Sequence, residues 1–279
     1  MGLVLLAVLP ALALALHHGL EQGAKARAEA GIAVNNRAQA LAAGEEGRLA
    51  AAMRLVESLA AATVVRVIDP KGCILLFSEL LRQSGPGMAN ILAVSAGGER
   101  IAEARDAAGD GFPPGRTPIQ TVSFADRDWF KQAVATKTCH AGPFVTSQGG
   151  RPLAVTACPS LGWDGEVKAV VAAVLTLDAL AEAVAAAPPP PGGVVGVLAP
   201  SGVLLATFPE KLPAVGRQLA ASPLLRAMAD KASGGMETAG LDGEGKLAGW
   251  ARIAPQHPES PAVFVERPLA EAYAASRRL

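Results

Sequence analysis

Aromatic residues are scarce. They make up 4% of the 279 residues, and Tyr273 is the single tyrosine. Single-stranded nucleic acids are held on aromatic stacking platforms, so that partner class has no support. Excess positive charge is also lacking, because 25 Lys and Arg balance 25 Asp and Glu. Without a basic stripe to neutralise phosphates, nucleic acid of any kind is disfavoured. Catalytic signatures are missing too. There is no G-x-S-x-G, no H-E-x-x-H and no phosphate-binding Gly-rich loop, and the four histidines are scattered. No enzymatic activity and no cofactor are expected. Cysteine is rare: Cys73, Cys139 and Cys158 contain no C-x-x-C pair, which removes the spacing that zinc or thioredoxin-like chemistry uses.

What is abundant is apolar. Hydrophobic residues reach 51% against 18% charged, the balance of a packed globular chain that also carries a membrane segment. The run from Gly2 to Leu16 has no charge, and His17 and His18 follow it. A spanning helix needs roughly 20 apolar residues, so residues 1–18 fit two roles. One is a signal peptide, with Ala11, Ala13 and Ala15 offering a small-residue cleavage site. The other is a membrane anchor, favoured by the absence of a basic segment before the run and by the helical pattern that continues past it. In both cases the rest of the chain is expected outside the cytoplasm.

Residues 19–62 read as one long helix rich in Ala, Leu, Glu and Arg, with Gly31 and Gly44 as weak points. Ile32, Leu41, Leu49, Met53, Leu55 and Leu59 form a stripe at helical spacing, expected to serve in part as the seam of a homodimer. Residues 63–187 then alternate hairpins with short helices. "NILAVSAGGERIAEA" is strand, Gly-Gly turn, strand. "DRDWFKQAVA" is a short helix with Asp126 placed to cap it. "GPFVTSQGGRPLAVTACP" is a second hairpin, turning at Gly149-Gly150. The run Pro188 to Pro191 followed by two glycines punctuates the chain. Beyond it, over residues 192–267, "VVGVLAPSGVLLATF" repeats the earlier strand-turn-strand arrangement about a hundred residues on. Ser222 is placed to cap a helix there, and residues 268–279 read as an exit helix toward a second membrane span. Hairpin-linked strands imply antiparallel sheets, so the fold class is α+β.

A long helix leaving a membrane anchor and leading into two such modules resembles the double Cache sensor region, a PAS-like family found outside the cytoplasm in bacterial sensor histidine kinases, diguanylate cyclases and chemoreceptors. The motif "SFADRDWFKQAVAT…GPFVTSQGGRPLAVTACP" is similar to that of the family's membrane-distal module. "SPLLRAMA" and "GLDGEGKLAGWARI" resemble the membrane-proximal one. The resemblance covers roughly residues 20–279. It implies a sensing input region that holds a small ligand in the distal module, with the membrane as a partner and the proximal module as a transmitter. The alternative is an anchored or secreted binding protein without signalling output.

The resemblance also implies where a ligand sits. Arg127 offers a planar fork that matches a carboxylate, Trp129 and Phe130 offer apolar walls, and Phe144 and Thr146 lie two apart on the next strand. Thr156 adds a hydroxyl from the returning strand. Arg127 has a plain alternative as a surface ion-pair partner, and one of Trp129 and Phe130 should be core, because adjacent helix positions do not share a face. Family members that bind amino acids carry an acid where Val174 stands here, and a tyrosine where Phe144 stands. The implied ligand is therefore a small carboxylate or other organic acid. With the second hairpin centred on Gly149-Gly150, Thr146 should oppose Leu153, bringing Cys139 and Cys158 near enough for a disulfide. Two free thiols packed as small hydrophobes are the alternative.

Overall fold

The computed structural model describes residues 2–85, 87–105, 123–142, 145–146, 152–209, 215–216, 218–219, 222–257 and 259–274, with the side chains of 2–20, 23, 145 and 146 left aside. Helix α1 runs from Gly2 to Ala60 without a break, longer at its start than the sequence implies. Gly31, Gly44 and Gly47 face open space, so they cost helix propensity without forcing a kink. At 1.5 Å per residue the helix is about 88 Å long. Among the described residues no helix is long and apolar enough to cross a membrane. The side chains of the apolar run at residues 2–18, on which an anchor would depend, lie outside that description.

Two antiparallel sheets lie along α1. The first contains β1 (Met88–Ser95), β2 (Arg100–Arg105), β3 (His140–Ala141), β4 (Val145–Thr146), β5 (Pro152–Leu161) and β6 (Val167–Thr176), in the order β2-β1-β6-β5-β3, with β4 pairing further along β5. The second contains β7 (Val194–Leu198), β8 (Leu204–Phe208), β9 (Ser233–Ala239), β10 (Gly245–Arg252) and β11 (Ala262–Pro268), in the order β8-β7-β11-β10-β9. The two orders are the same, so the repeat visible in the sequence is a repeat of topology. Each sheet opens with a hairpin, and its remaining strands, four in the first and three in the second, follow later in the chain.

Shorter helices cover the remaining faces. α2 (Thr63–Arg66) and α3 (Pro70–Gln83) follow α1, α4 (Asp128–Thr136) precedes β3, α5 (Asp178–Ala186) precedes the proline run, and α6 (Pro223–Asp230) precedes β9. Ser222 accepts from the Leu225 N–H and caps α6 as its position implies. Asp126 does not cap α4: Arg127 holds the N-cap position, with no side-chain hydrogen bond to the helix. The closing helix α7 is only Leu269–Ala272, and Pro268 stands before it as the last residue of β11.

The face that α1 turns inward is lined by small residues: Val34, Ala38, Ala42, Ala52 and Val56 are all buried. Small side chains let the helix lie close on the sheets. The approach is tightest at Gly249, where an added Cβ would meet the backbone of Val34 and Asn35 at 2.6 Å. The larger apolar residues expected at a dimer seam are used within the chain instead. Leu41 and Leu49 pack on the core between the sheets, and Met53, Leu55 and Leu59 pack on the first sheet, leaving only Ile32 of that stripe exposed.

One cluster joins both halves. Ala38, Ala42 and Ala52 of α1 pack with Ala154 and Leu175 of the first sheet, Leu180 and Val184 of α5, and Val195, Val197 and Val263 of the second. The opposite face of each sheet carries its own core, under α4 in the first and α6 in the second.

Candidate functional site

α4 begins at Asp128 and lies on the first sheet by one turn-spaced pair, Phe130 and Ala133, both buried. Beneath it are Leu92, Val94, Leu153, Ala157, Val170, Ala172 and Val174, an apolar floor. Phe130 is 5% exposed and belongs to this core, so it is not a free pocket wall. Trp129, its neighbour, turns aside and is half-buried. Its ring lies 5.8 Å from Phe124 and 6.0 Å from Phe130, tilted against the first and edge-on to the second. Arg127 is exposed at the mouth of the helix.

Thr156 falls on the other side of the sheet. Leu153, Val155 and Ala157 pack with Phe130, whereas Ala154 packs with α1 and Cys158 packs with Val56 and Leu59. Alternation along β5 therefore turns Thr156 toward α1, fully buried, with no partner for its hydroxyl among the described residues. The sequence reading missed this because it counted Thr156 as polar and near without following the period of two. The backbone of Thr146 pairs with Pro152, and Val145 opposes Leu153, one residue away from the expected register. Phe144 and the Gly149-Gly150 turn lie outside the described residues, as does the side chain of Thr146.

Four polar residues missed at the sequence level stand on the α4 face. Asn90 is fully buried in β1, directly beside Val174 of β6. Its amide donates to Glu103 Oε1 at 2.6 Å. Arg105 embraces the same carboxylate with two donors, at 2.8 Å each, and Arg100 donates at 2.7 Å. Burial pushes the Glu103 carboxyl up. The hydrogen bonds from Arg105 and Asn90 and the two guanidinium charges outweigh burial and hold it below the usual range. Asn90 Oδ1 is left buried, with no hydrogen-bond partner among the described residues. The position beside Val174 is therefore polar after all, supplied by the neighbouring strand. An asparagine inside the apolar run "ANILAV" was the available signal, since a buried amide needs partners.

Cys139 and Cys158 are bonded, with sulfurs 2.05 Å apart. His140 opposes Ala157, which brings Cys139 opposite Cys158. The bond ties the chain leaving α4 to the middle of β5. Cys73 is a buried free thiol in α3, donating weakly to the Val64 carbonyl. Among the described residues no group of three or more His, Cys, Asp or Glu could hold a metal ion.

The second sheet hides a second polar group near its end. Lys246 and Glu266 are each 1% exposed. Lys246 Nζ lies 2.7 Å from Asp242 and 3.3 Å from Glu244, and donates to the Gly192 carbonyl at 3.3 Å, so it fastens the β9–β10 turn to the segment joining the two sheets. Glu266 accepts from the Leu241 N–H at 3.4 Å. Burial raises its pKa from 4.5 to about 7, and Asp242 adds to the rise while Lys246 opposes it.

No protein-family model matches the chain, and no curated protein does. Solved structures do. The sensory domain of the Campylobacter jejuni chemoreceptor Tlp1, a periplasmic one, matches with a TM-score of 0.63 at 10% identity, over 89% of this chain and 98% of that one. The ligand-binding domain of the Pseudomonas fluorescens chemoreceptor CtaA, in complex with L-isoleucine, matches with a TM-score of 0.59 at 19% identity, over 91% of this chain and 98% of that one. The ligand-binding domain of the Pseudomonas aeruginosa amino acid chemoreceptor PctC, in complex with GABA, matches with a TM-score of 0.56 at 18% identity, over 83% and 96%. Histidine kinase extracellular domains share the likeness. This chain therefore has the double PAS-like α+β fold seen in extracellular and periplasmic sensory domains of chemoreceptors and histidine kinases.

Proposed function

We propose that the chain is the ligand-sensing input region of a membrane-bound signal-transduction receptor, placed outside the cytoplasm and attached through the apolar run at residues 2–16. The first sheet forms the membrane-distal module and binds a small organic carboxylate on its α4 face. The observation that carries this reading is the composition of that face: an apolar floor, a half-buried Trp129 at its edge, an exposed Arg127 at the helix mouth and, further along β1 on the same face, a buried acceptor on Asn90. Mostly apolar walls with a few convergent polar groups are what small-ligand sites are made of. Arg127 takes the carboxylate as a fork, and Asn90 Oδ1 accepts from a hydroxyl or amine on the ligand. α1 touches both sheets, so a shift of the α4 face is felt along the helix that leads toward the membrane.

A thermal-shift screen on residues 20–274 with small carboxylates and their amides tests this. A ligand at a hundred times its Kd adds about 2.7 kcal/mol, a shift of several degrees at this chain length. Carboxylates should raise Tm and amides should not. Arg127→Ala should remove the shift while leaving the unliganded Tm unchanged, because Arg127 is exposed. A carboxylate shift that survives Arg127→Ala, or its absence throughout, overturns the assignment.

A further inference from the structure

Exposed large apolar side chains are few among the described residues, and two of them, Val67 and Trp163, stand together at one end of the first sheet. A cleft of about 350 Å³ opens there, lined by Thr63, Arg66, Val67, Trp163, Asp164 and Lys168. It is separate from the α4 face. Lys137, just past the C-terminal end of α4, donates to the Gly165 carbonyl and pairs with Glu166, so the β5–β6 turn sits at that end of the helix. Arg127 stands at the other end.

Two features mark the cleft as a place for a ligand. Trp163 is 96% exposed, so its ring contributes almost nothing to the fold. The Arg66 guanidinium lies 5.4 Å from the centroid of that ring. Lys168 and Asp164 are 2.8 Å apart and cancel each other, which leaves Arg66, among the described residues lining the cleft, as the charge with no ion-pair partner. Its Nε is buried, with no hydrogen-bond partner among the described residues. A carboxylate matches a guanidinium fork, and an aromatic ring matches an open indole face beside Val67.

We propose that this cleft is a second ligand site, one that takes an aromatic monocarboxylate, with its carboxylate on Arg66 and its ring against Trp163. The site stands independently of the α4 face. It lies just past the C-terminal end of α1, which Ser160 holds to β5 by donating to the Ala60 carbonyl at 2.6 Å. Occupancy would therefore bear on the end of the long helix.

The probe is benzoate, with benzamide as its neutral counterpart, followed by NMR of the three tryptophan indole signals. Trp163→Phe assigns the signal. Benzoate should move the Trp163 signal saturably, with a Kd of about 1 mM or tighter, while Trp250 stays in place and Trp129 does not lead. Benzamide should bind at least about tenfold more weakly, and Arg66→Gln should weaken benzoate by a similar factor. Arg66→Lys keeps the charge but loses the fork, and should fall between the two. Unmoved Trp129 and Trp250 signals in each variant establish that it is folded. The proposal is overturned if Trp163 fails to move, if benzamide equals benzoate, or if benzoate binding is indifferent to Arg66. A response confined to Trp129 assigns the binding to the α4 face and likewise overturns it.

Discussion

Replacing Glu266 with glutamine should abolish a pH dependence of stability that the wild-type chain carries near neutrality. Glu266 is almost fully buried in β11, and burial lifts its carboxyl from an ordinary 4.5 to about 7. A folded-state pKa above the unfolded one means that the folded chain binds the proton more tightly. The stability this contributes is complete below the unfolded pKa and is lost as pH rises through the folded one. At about 1.36 kcal/mol per pKa unit, the loss is about 3 kcal/mol between pH 4.5 and pH 8. Glutamine has the shape of the protonated acid and still accepts from the Leu241 N–H, so Glu266→Gln should be indifferent over that range. Urea unfolding of both proteins at pH 5, 6, 7 and 8 reads the difference directly. Wild type and variant should be closely matched at pH 5, and the variant should be the more stable at pH 8. Two stability curves that stay parallel from pH 5 to pH 8 would refute the reasoning, because other titrating groups are common to both proteins and cancel.

Reducing the Cys139–Cys158 bond should cost about 3 kcal/mol from the added entropy of the unfolded chain, given a sequence separation of 19. Denaturation midpoints with and without reductant measure it, and equal midpoints would refute it. Gly249→Ala should destabilise the chain by about 1–3 kcal/mol, because the new methyl would sit 2.6 Å from the α1 backbone. A thermal melt within error of wild type would show that α1 does not lie against β10 as closely as described.

Much of the architecture was legible because it rests on local chemistry. The "SAGG" turn, the Ser222 cap, the Pro188–Pro191 break and the duplicated strand-turn-strand units each name their own structure from a few neighbouring residues. The short helix that starts beside Arg127 and carries Trp129 was legible in the same local way, and their contact with a ligand stands as a proposal. What escaped depends on the far side of the chain. Whether Thr156 faces α4 or α1 is decided by the register of β5 against β6, and one step reverses it. The apolar stripe of α1 looked like a seam for a second copy because nothing local says that this chain's own sheets will cover it. Asn90 and Glu103 lie on different strands, and Lys246 and Glu266 likewise, so each pair exists only once the sheet has formed.

The proline run between α5 and β7 has the composition of a flexible joint, yet the valines and alanines on either side of it belong to one continuous core. That continuity restricts how such a chain can be recombined. A chimera cut at residues 188–193 would give each half an apolar surface shaped for the partner it had lost, and α1 would have to be divided as well. A graft that keeps the two sheets, α5 and α1 together exchanges the whole region at once. For engineering or for evolution, the unit of inheritance here is the pair, not the repeat.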